Sequence, residues 1–190
     1  MSANLVAVLY LISALLFIFA LRGLSHPESS RLGNIFGIIG MVIAIITTLM
    51  FKSVLSYLEI GAAIIVGGAI GTFIALRIEM TALPQLVAAF HSLVGIAAVF
   101  VAAAAFYDPA SFGIGNVGSI GTSSLIEMSI GTFIGAITFS GSVLAFGKLQ
   151  GTVSGKPIVF KFQHTINALI LLLIAVLIVI FVTNQSPTIF

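Results

Sequence analysis

The chain has 190 residues, 60% of them hydrophobic and only 6% charged, with a formal net charge of +2 and a mean hydropathy of +1.30. A water-soluble domain carries about 25% charged residues, so most of this surface has to face hydrocarbon. The small net charge gives no footing for a nucleic-acid partner, and the lack of cysteine excludes disulfides and Cys-based metal sites.

A membrane-crossing helix needs roughly 20 mainly apolar residues. Six stretches qualify, at about 3–24, 33–52, 57–77, 83–106, 121–146 and 165–183. The first has no basic segment ahead of it and reads as a span rather than a cleaved signal peptide. GLSHPESSRLGN links it to the second, and FKSVLSY forms a tight turn into the third. RIEMTALP leads into the fourth, with Thr81 as the expected N-cap and Pro84 in the first turn, where its missing N–H costs little. YDPASFGIGNVGSIGTSS connects the fourth to the fifth, and GKLQGTVSGKPIVFKFQ the fifth to the sixth. Backbone polar groups inside a bilayer must all be paired, which favours helices; the alternating runs of about ten residues that barrel strands need are absent. The expected fold is an all-α integral membrane protein, six transmembrane helices in a bundle forming one domain over residues 1–190.

Basic residues set the expected orientation. Arg22, Arg31, Arg77, Lys148, Lys156 and Lys161 fall at connections 1–2, 3–4 and 5–6, and only Lys52 falls on the other side. By the positive-inside rule the three basic connections are cytoplasmic and both ends of the chain lie outside.

The stretch VAAFHSLVGIAAV (87–99) sets one imidazole, His91, among apolar and small residues. Seven residues beyond Pro84, it lies about 10 Å below the cytoplasmic boundary at helical rise. An ionisable group at that depth points to function, and histidine exchanges protons near physiological pH. A neutral histidine holding two helices together is the plainer reading. Span five is rich in hydroxyls: Ser129, Thr132, Thr138, Ser140 and Ser142. Thr138 and Ser142 share a face, and Ser142 lies near the depth of His91, so the two could flank one hydrated path. Hydroxyls also pack and back-bond in such helices without any proton role. Glu127, near the outer end of span five, is a candidate for an outer proton entrance; a solvated boundary carboxylate is the alternative.

The pairs Gly33/Gly37, Gly67/Gly71 and Gly131/Gly135 are GxxxG spacings, which let helices approach closely, and are read as packing sites. GIGNVG (113–118) matches GxGxxG, but a dinucleotide site needs a βαβ setting. In an outer loop between two spans it reads as a flexible connector. Nothing in the chain forms a soluble catalytic domain, and no metal-ligand pattern is present.

Five stretches together carry a family resemblance: GLSHPESSRLGNIFGIIGM (23–41), IVGGAIG (65–71), EMTALPQLVAAFHSLVGIAAV (79–99), IGTFIGAITFSGSVLAFGKLQG (130–151) and SGKPIVFKFQHTINAL (154–169). They resemble the N-terminal membrane part of the beta subunit of proton-translocating nicotinamide nucleotide transhydrogenase. The resemblance implies coupling of proton translocation to hydride transfer from NADH to NADP⁺, in a cell inner membrane. His91 matches the family's proton-path histidine, Ser142 its span-five serine and, more weakly, Glu127 an acidic position. The implied partners are the alpha subunit's membrane helices, soluble NAD(H) and NADP(H) domains on the cytoplasmic side, the lipid bilayer and a second assembled protomer. The family's beta subunit continues through three more spans, with an asparagine in the proton path, to the NADP(H) domain. This sequence stops at TNQSPTIF, so the expectation is a fragment or split subunit that alone binds no nucleotide and transfers no hydride. Two other classes stand beside this reading. A solute or ion transporter would show paired broken helices, and no span contains an internal proline or repeat. A structural assembly subunit would use His91 only as helix glue.

Overall fold

The computed structural model describes residues 2–50, 56–157 and 159–190. Its helices are α1 (Ala3–Leu24), α2 (Ser30–Leu49), α3 (Tyr57–Arg77), α4 (Leu83–Tyr107), α5 (Thr122–Leu149) and α6 (Gln163–Asn184). All six are long and apolar enough to cross a membrane. Large apolar side chains point outward along every one of them, such as Leu11, Ile38, Ile65, Val94, Ile134 and Leu171, as suits helices solvated by hydrocarbon. Two short strands, β1 (Gly115–Asn116) and β2 (Ser119–Ile120), pair antiparallel between α4 and α5. The chain divides into two compact units, Met1–Gly68 and Ala69–Phe190, with the division inside α3.

In the first unit α1 and α2 form a helical hairpin. Ser2 caps α1, its hydroxyl accepting from the Leu5 N–H at 3.4 Å. The hairpin is closed at three levels. A Cβ built on Gly23 would stand 2.6 Å from Gly33 Cα, so only glycines allow the approach at the turn. In mid-helix the buried Ser13 donates to the Gly40 carbonyl at 2.7 Å. At the far end the Tyr10 and Thr48 hydroxyls meet at 2.9 Å. Cross-helix hydrogen bonds of this kind contribute about 0.6 kcal/mol each in a membrane. α2 begins three residues before the expected 33, because a 3-10 turn, Pro27–Ser29, feeds straight into it. Lys52 and the end of the expected second span lie outside the described residues.

In the second unit α4 and α5 pack side by side and antiparallel, crossing where Gly95 meets Gly135 and Phe139. The core lies at one end of this pair. It joins Ala102, Ala105 and Phe106 of α4, Ile120 of β2, Leu125 and Met128 of α5, and Phe181 of α6. Phe106 stacks on Phe190 at 4.9 Å and meets Phe181 at 5.2 Å. α6 ends in Gln185, whose φ of +48 is left-handed. Its amide brackets Ile120: the Ile120 N–H donates to Gln185 Oε1 at 3.0 Å, and Gln185 Nε2 donates to the Ile120 carbonyl at 3.2 Å. The bracket supplies a strand-like partner to β2 and holds a backbone turn that a side-chain-bearing residue rarely adopts.

Two local expectations change. GIGNVG is an ordered hairpin rather than a flexible connector, because Gly113, Gly115 and Gly118 supply the positive φ values it needs. Thr81 does not cap α4: it sits in a 3-10 turn, Met80–Ala82, and Ala82 occupies the cap position without a side-chain bond. Pro84 does fall in the first turn of α4.

Candidate functional site

His91, Ser142 and Glu127 all belong to the second unit. His91 lies on α4 four residues from Gly95, and so on the same side of that helix. Ser142 lies on α5 seven residues from Gly135, two turns along one face. Both faces therefore run toward the α4–α5 crossing.

The cross-helix contacts fix the register. Gly95 sits against Phe139, and farther along Gln85 Nε2 donates to the Leu149 carbonyl at 3.2 Å. Four residues from Gly95 toward Gln85 lead to His91. Four residues from Phe139 toward Leu149 lead to Val143, next to Ser142. His91 and Ser142 are thus level, between the glycine crossing and the Lys148 end of α5. Glu127 is exposed and lies on α5 beyond the crossing, fifteen residues from Ser142, or about 22 Å along the axis.

The neighbours of these side chains differ in how they are engaged. Ser129 and Ser140 return their hydroxyls to carbonyls four residues back, Leu125 at 2.7 Å and Ala136 at 2.8 Å. Ser92, buried beside His91 in sequence, donates to the Ala89 carbonyl at 2.7 Å. Those hydroxyls serve their own helices. Ser142 is half-buried and His91 exposed, and neither makes a side-chain hydrogen bond to the described residues. The His91 ring is thus open to its surroundings and the Ser142 hydroxyl partly so.

Basic groups gather near one end of the unit. Arg77 lies over the Phe73 ring at 4.4 Å, Lys148 Nζ donates to the Lys156 carbonyl at 3.2 Å, and Lys161 stands over Phe162 at 5.1 Å. Among the described residues no three His, Asp or Glu side chains converge in a way that could hold a metal ion.

The glycines separate by environment. A Cβ on Gly33 would come within 2.7 Å of the Leu24 N, and one on Gly135 within 2.7 Å of the Gly95 carbonyl oxygen. A Cβ on Gly37 would make ordinary contact with Ala20 Cβ at 3.6 Å, and one on Gly67, Gly71 or Gly131 would meet nothing within 4 Å among the described residues. The close approaches therefore pair Gly23 with Gly33 and Gly95 with Gly135. The sequence reading did not single out Gly23, Gly95, Gln85 or Gln150. It also passed over the particular state of Thr132, whose buried Oγ1 has no hydrogen-bond partner among the described residues. Thr132 lines a cleft of about 180 Å³ between α5 and α6, among Phe133, Leu177 and Phe181.

Residues 6–190 match the family model described as NAD(P) transhydrogenase beta subunit. A protein named NAD(P) transhydrogenase subunit beta from Rhodospirillum rubrum is 59% identical over 164 residues, covering 86% of this chain. A sequence of the same name from a particular strain of that species matches to the same extent. The chain spans 35% of the length of those relatives. With six apolar helices and a match over almost its whole length, this multi-pass membrane chain belongs to the NAD(P) transhydrogenase beta subunit family.

Proposed function

We propose that this chain is the proton-conducting membrane part of a nicotinamide nucleotide transhydrogenase, coupling proton translocation to hydride transfer from NADH to NADP⁺. The observation that carries the reading is the level pairing of His91 on α4 with Ser142 on α5, between the glycine crossing and the basic end. His91 accepts and releases the proton, Ser142 or water relays it, and Glu127 lies at the entrance on the opposite side. The basic connections face the cytoplasm of a cell with an inner membrane, where soluble NAD(H) and NADP(H) domains meet. Nucleotide binding belongs to those domains, and the alpha subunit's helices and a second assembled protomer complete the enzyme in the lipid bilayer.

Coupling follows if protonated and neutral His91 differ in stability between two docked states of the NADP(H) domain. A proton that stabilised both states equally would shift nothing. The family match supports this reading over a solute transporter.

The test is substitution by residues that hydrogen-bond without titrating. His91→Asn and His91→Gln, placed in the complete assembled enzyme in sealed liposomes, are expected to lose proton uptake by at least tenfold. Either variant pumping at the wild-type rate would return His91 to a structural role.

A further inference from the structure

The turn of the α1–α2 hairpin carries a cleft of about 410 Å³, with walls of two kinds. Phe19 of α1 and Phe36 of α2 form the apolar wall, their ring centroids 6.1 Å apart and their planes tilted by 52°. Arg22, His26 and Ser29 form the polar wall, with Gly23 beside them. The space follows from the way the turn closes. The helices touch through Gly23 and Gly33, where no Cβ fits, so neither glycine fills the gap. Phe19 stands one turn before Gly23, and Phe36 three residues after Gly33, which brings both rings to the facing sides.

The polar side chains differ in how they are committed. Ser29 donates its hydroxyl to the Gly23 carbonyl at 2.8 Å, and so leaves α2 without a side-chain cap although it holds the N-cap position. Arg22 and His26 are exposed, and neither makes a side-chain hydrogen bond to the described residues. Arg22 lies in the last turn of α1, where its charge complements the helix end, but that leaves its guanidinium donors unspent. The first turn of α2 contains no acidic residue. Glu28 and Arg31 belong to the same turn of chain, and neither lines the cleft.

An occupant has to suit both walls. A hydrocarbon chain alone would leave Arg22 and His26 unanswered, and a free phosphate would make no use of the paired rings. An anionic phospholipid answers both, since guanidinium groups bind phosphate oxygens in pairs and an acyl chain packs on exposed rings. The depth agrees as well. The 22 residues of α1 span about 33 Å at helical rise, slightly more than a hydrocarbon core of about 30 Å, so its end reaches the headgroups. Basic pockets between membrane helices take anionic headgroups for the same reason.

We infer that the cleft at the α1–α2 turn binds one anionic phospholipid, its phosphate on Arg22 and His26 and an acyl chain against Phe19 and Phe36. The lipid fastens the first hairpin at headgroup level. The site belongs to the unit Met1–Gly68 and stands independently of the roles of His91 and Ser142.

The test places a photo-crosslinking benzoylphenylalanine at Phe19 of the complete assembled enzyme, in vesicles of phosphatidylglycerol and phosphatidylcholine in equal parts. After irradiation, mass spectrometry of the peptide carrying residue 19 measures the adducts of each lipid. Phosphatidylglycerol adducts should exceed phosphatidylcholine adducts at least threefold. Equal adducts of the two lipids, or a crosslink to protein in place of lipid, would overturn the site. Arg22→Gln combined with His26→Gln should return the ratio to that of the vesicle, and a ratio unmoved by the pair would overturn the assignment of the headgroup to these two residues. A parallel sample receives millimolar inorganic phosphate at matched ionic strength. Persistence of the enrichment supports a lipid, and its loss would show that the cleft takes free phosphate instead.

Discussion

Adding one methyl group at Gly95 should do what adding one at Gly131 does not. The Cβ of Gly95→Ala would stand 2.5 Å from Phe139 N, 2.8 Å from the Gly135 carbonyl oxygen and 3.0 Å from Phe139 Cα. All three are backbone atoms, so no side chain can swing aside. The shortest falls nearly an ångström short of the 3.4 Å at which ordinary contact begins, and α4 and α5 have to separate by about that much. Overpacking of this kind costs about 1–3 kcal/mol, while replacing glycine by alanine inside a helix returns about 1 kcal/mol. The net expectation is a loss of up to about 2 kcal/mol, which leaves Gly95→Ala about 1–3 kcal/mol below Gly131→Ala. Gly131→Ala, four residues from Gly135, meets nothing within 4 Å among the described residues and keeps the propensity gain of up to about 1 kcal/mol. Unfolding of the 190-residue chain in detergent micelles, followed by the loss of helical circular dichroism, compares the two. Gly95→Ala as stable as Gly131→Ala, or more stable, would refute the crossing geometry.

Gln185→Ala removes both hydrogen bonds to Ile120 and is expected to cost about 1–3 kcal/mol, with faster amide hydrogen exchange at Ile120 while amides of α1 and α2 keep their protection. Thr132→Val deletes a buried hydroxyl that has no partner among the described residues and keeps the side chain's shape, so it should leave stability unchanged or raise it by about 1 kcal/mol in the same micelle assay. A marked loss would mean that this hydroxyl has a partner after all. Ser142→Ala should slow proton uptake by less than His91→Ala does, because water can replace a relay hydroxyl but not an imidazole; equal losses in the two variants would give Ser142 more than a relay's part.

The membrane helices were legible in the sequence because a bilayer imposes a length that long apolar runs either meet or miss. The 3–24 and 57–77 readings coincide with α1 and α3, while α5 runs three residues past the expected 146 to its cap at Gln150. His91 stood out for the same reason, as an ionisable residue in a run that excludes others. Pairing between helices was not legible in this way. A GxxxG spacing marks one smooth face but not what meets it, and the closest approaches use Gly23 and Gly95, which belong to no such pair. Gln85 and Gln150 were hidden because glutamine is ordinary at a helix end, and only the fold brings together two residues 65 positions apart. The β1–β2 hairpin was missed because strands of two residues show no alternation to read.

The central claim is that the level pair of His91 and Ser142 carries the proton whose movement is tied to hydride transfer. The most direct measurement records hydride transfer and proton uptake together in the complete assembled enzyme, sealed in liposomes, for the wild type and His91→Ala. The account predicts that His91→Ala loses proton uptake while the protein stays folded and the soluble domains still bind their nucleotides. An unchanged ratio of protons taken up to hydrides transferred, at an unchanged rate, would contradict it.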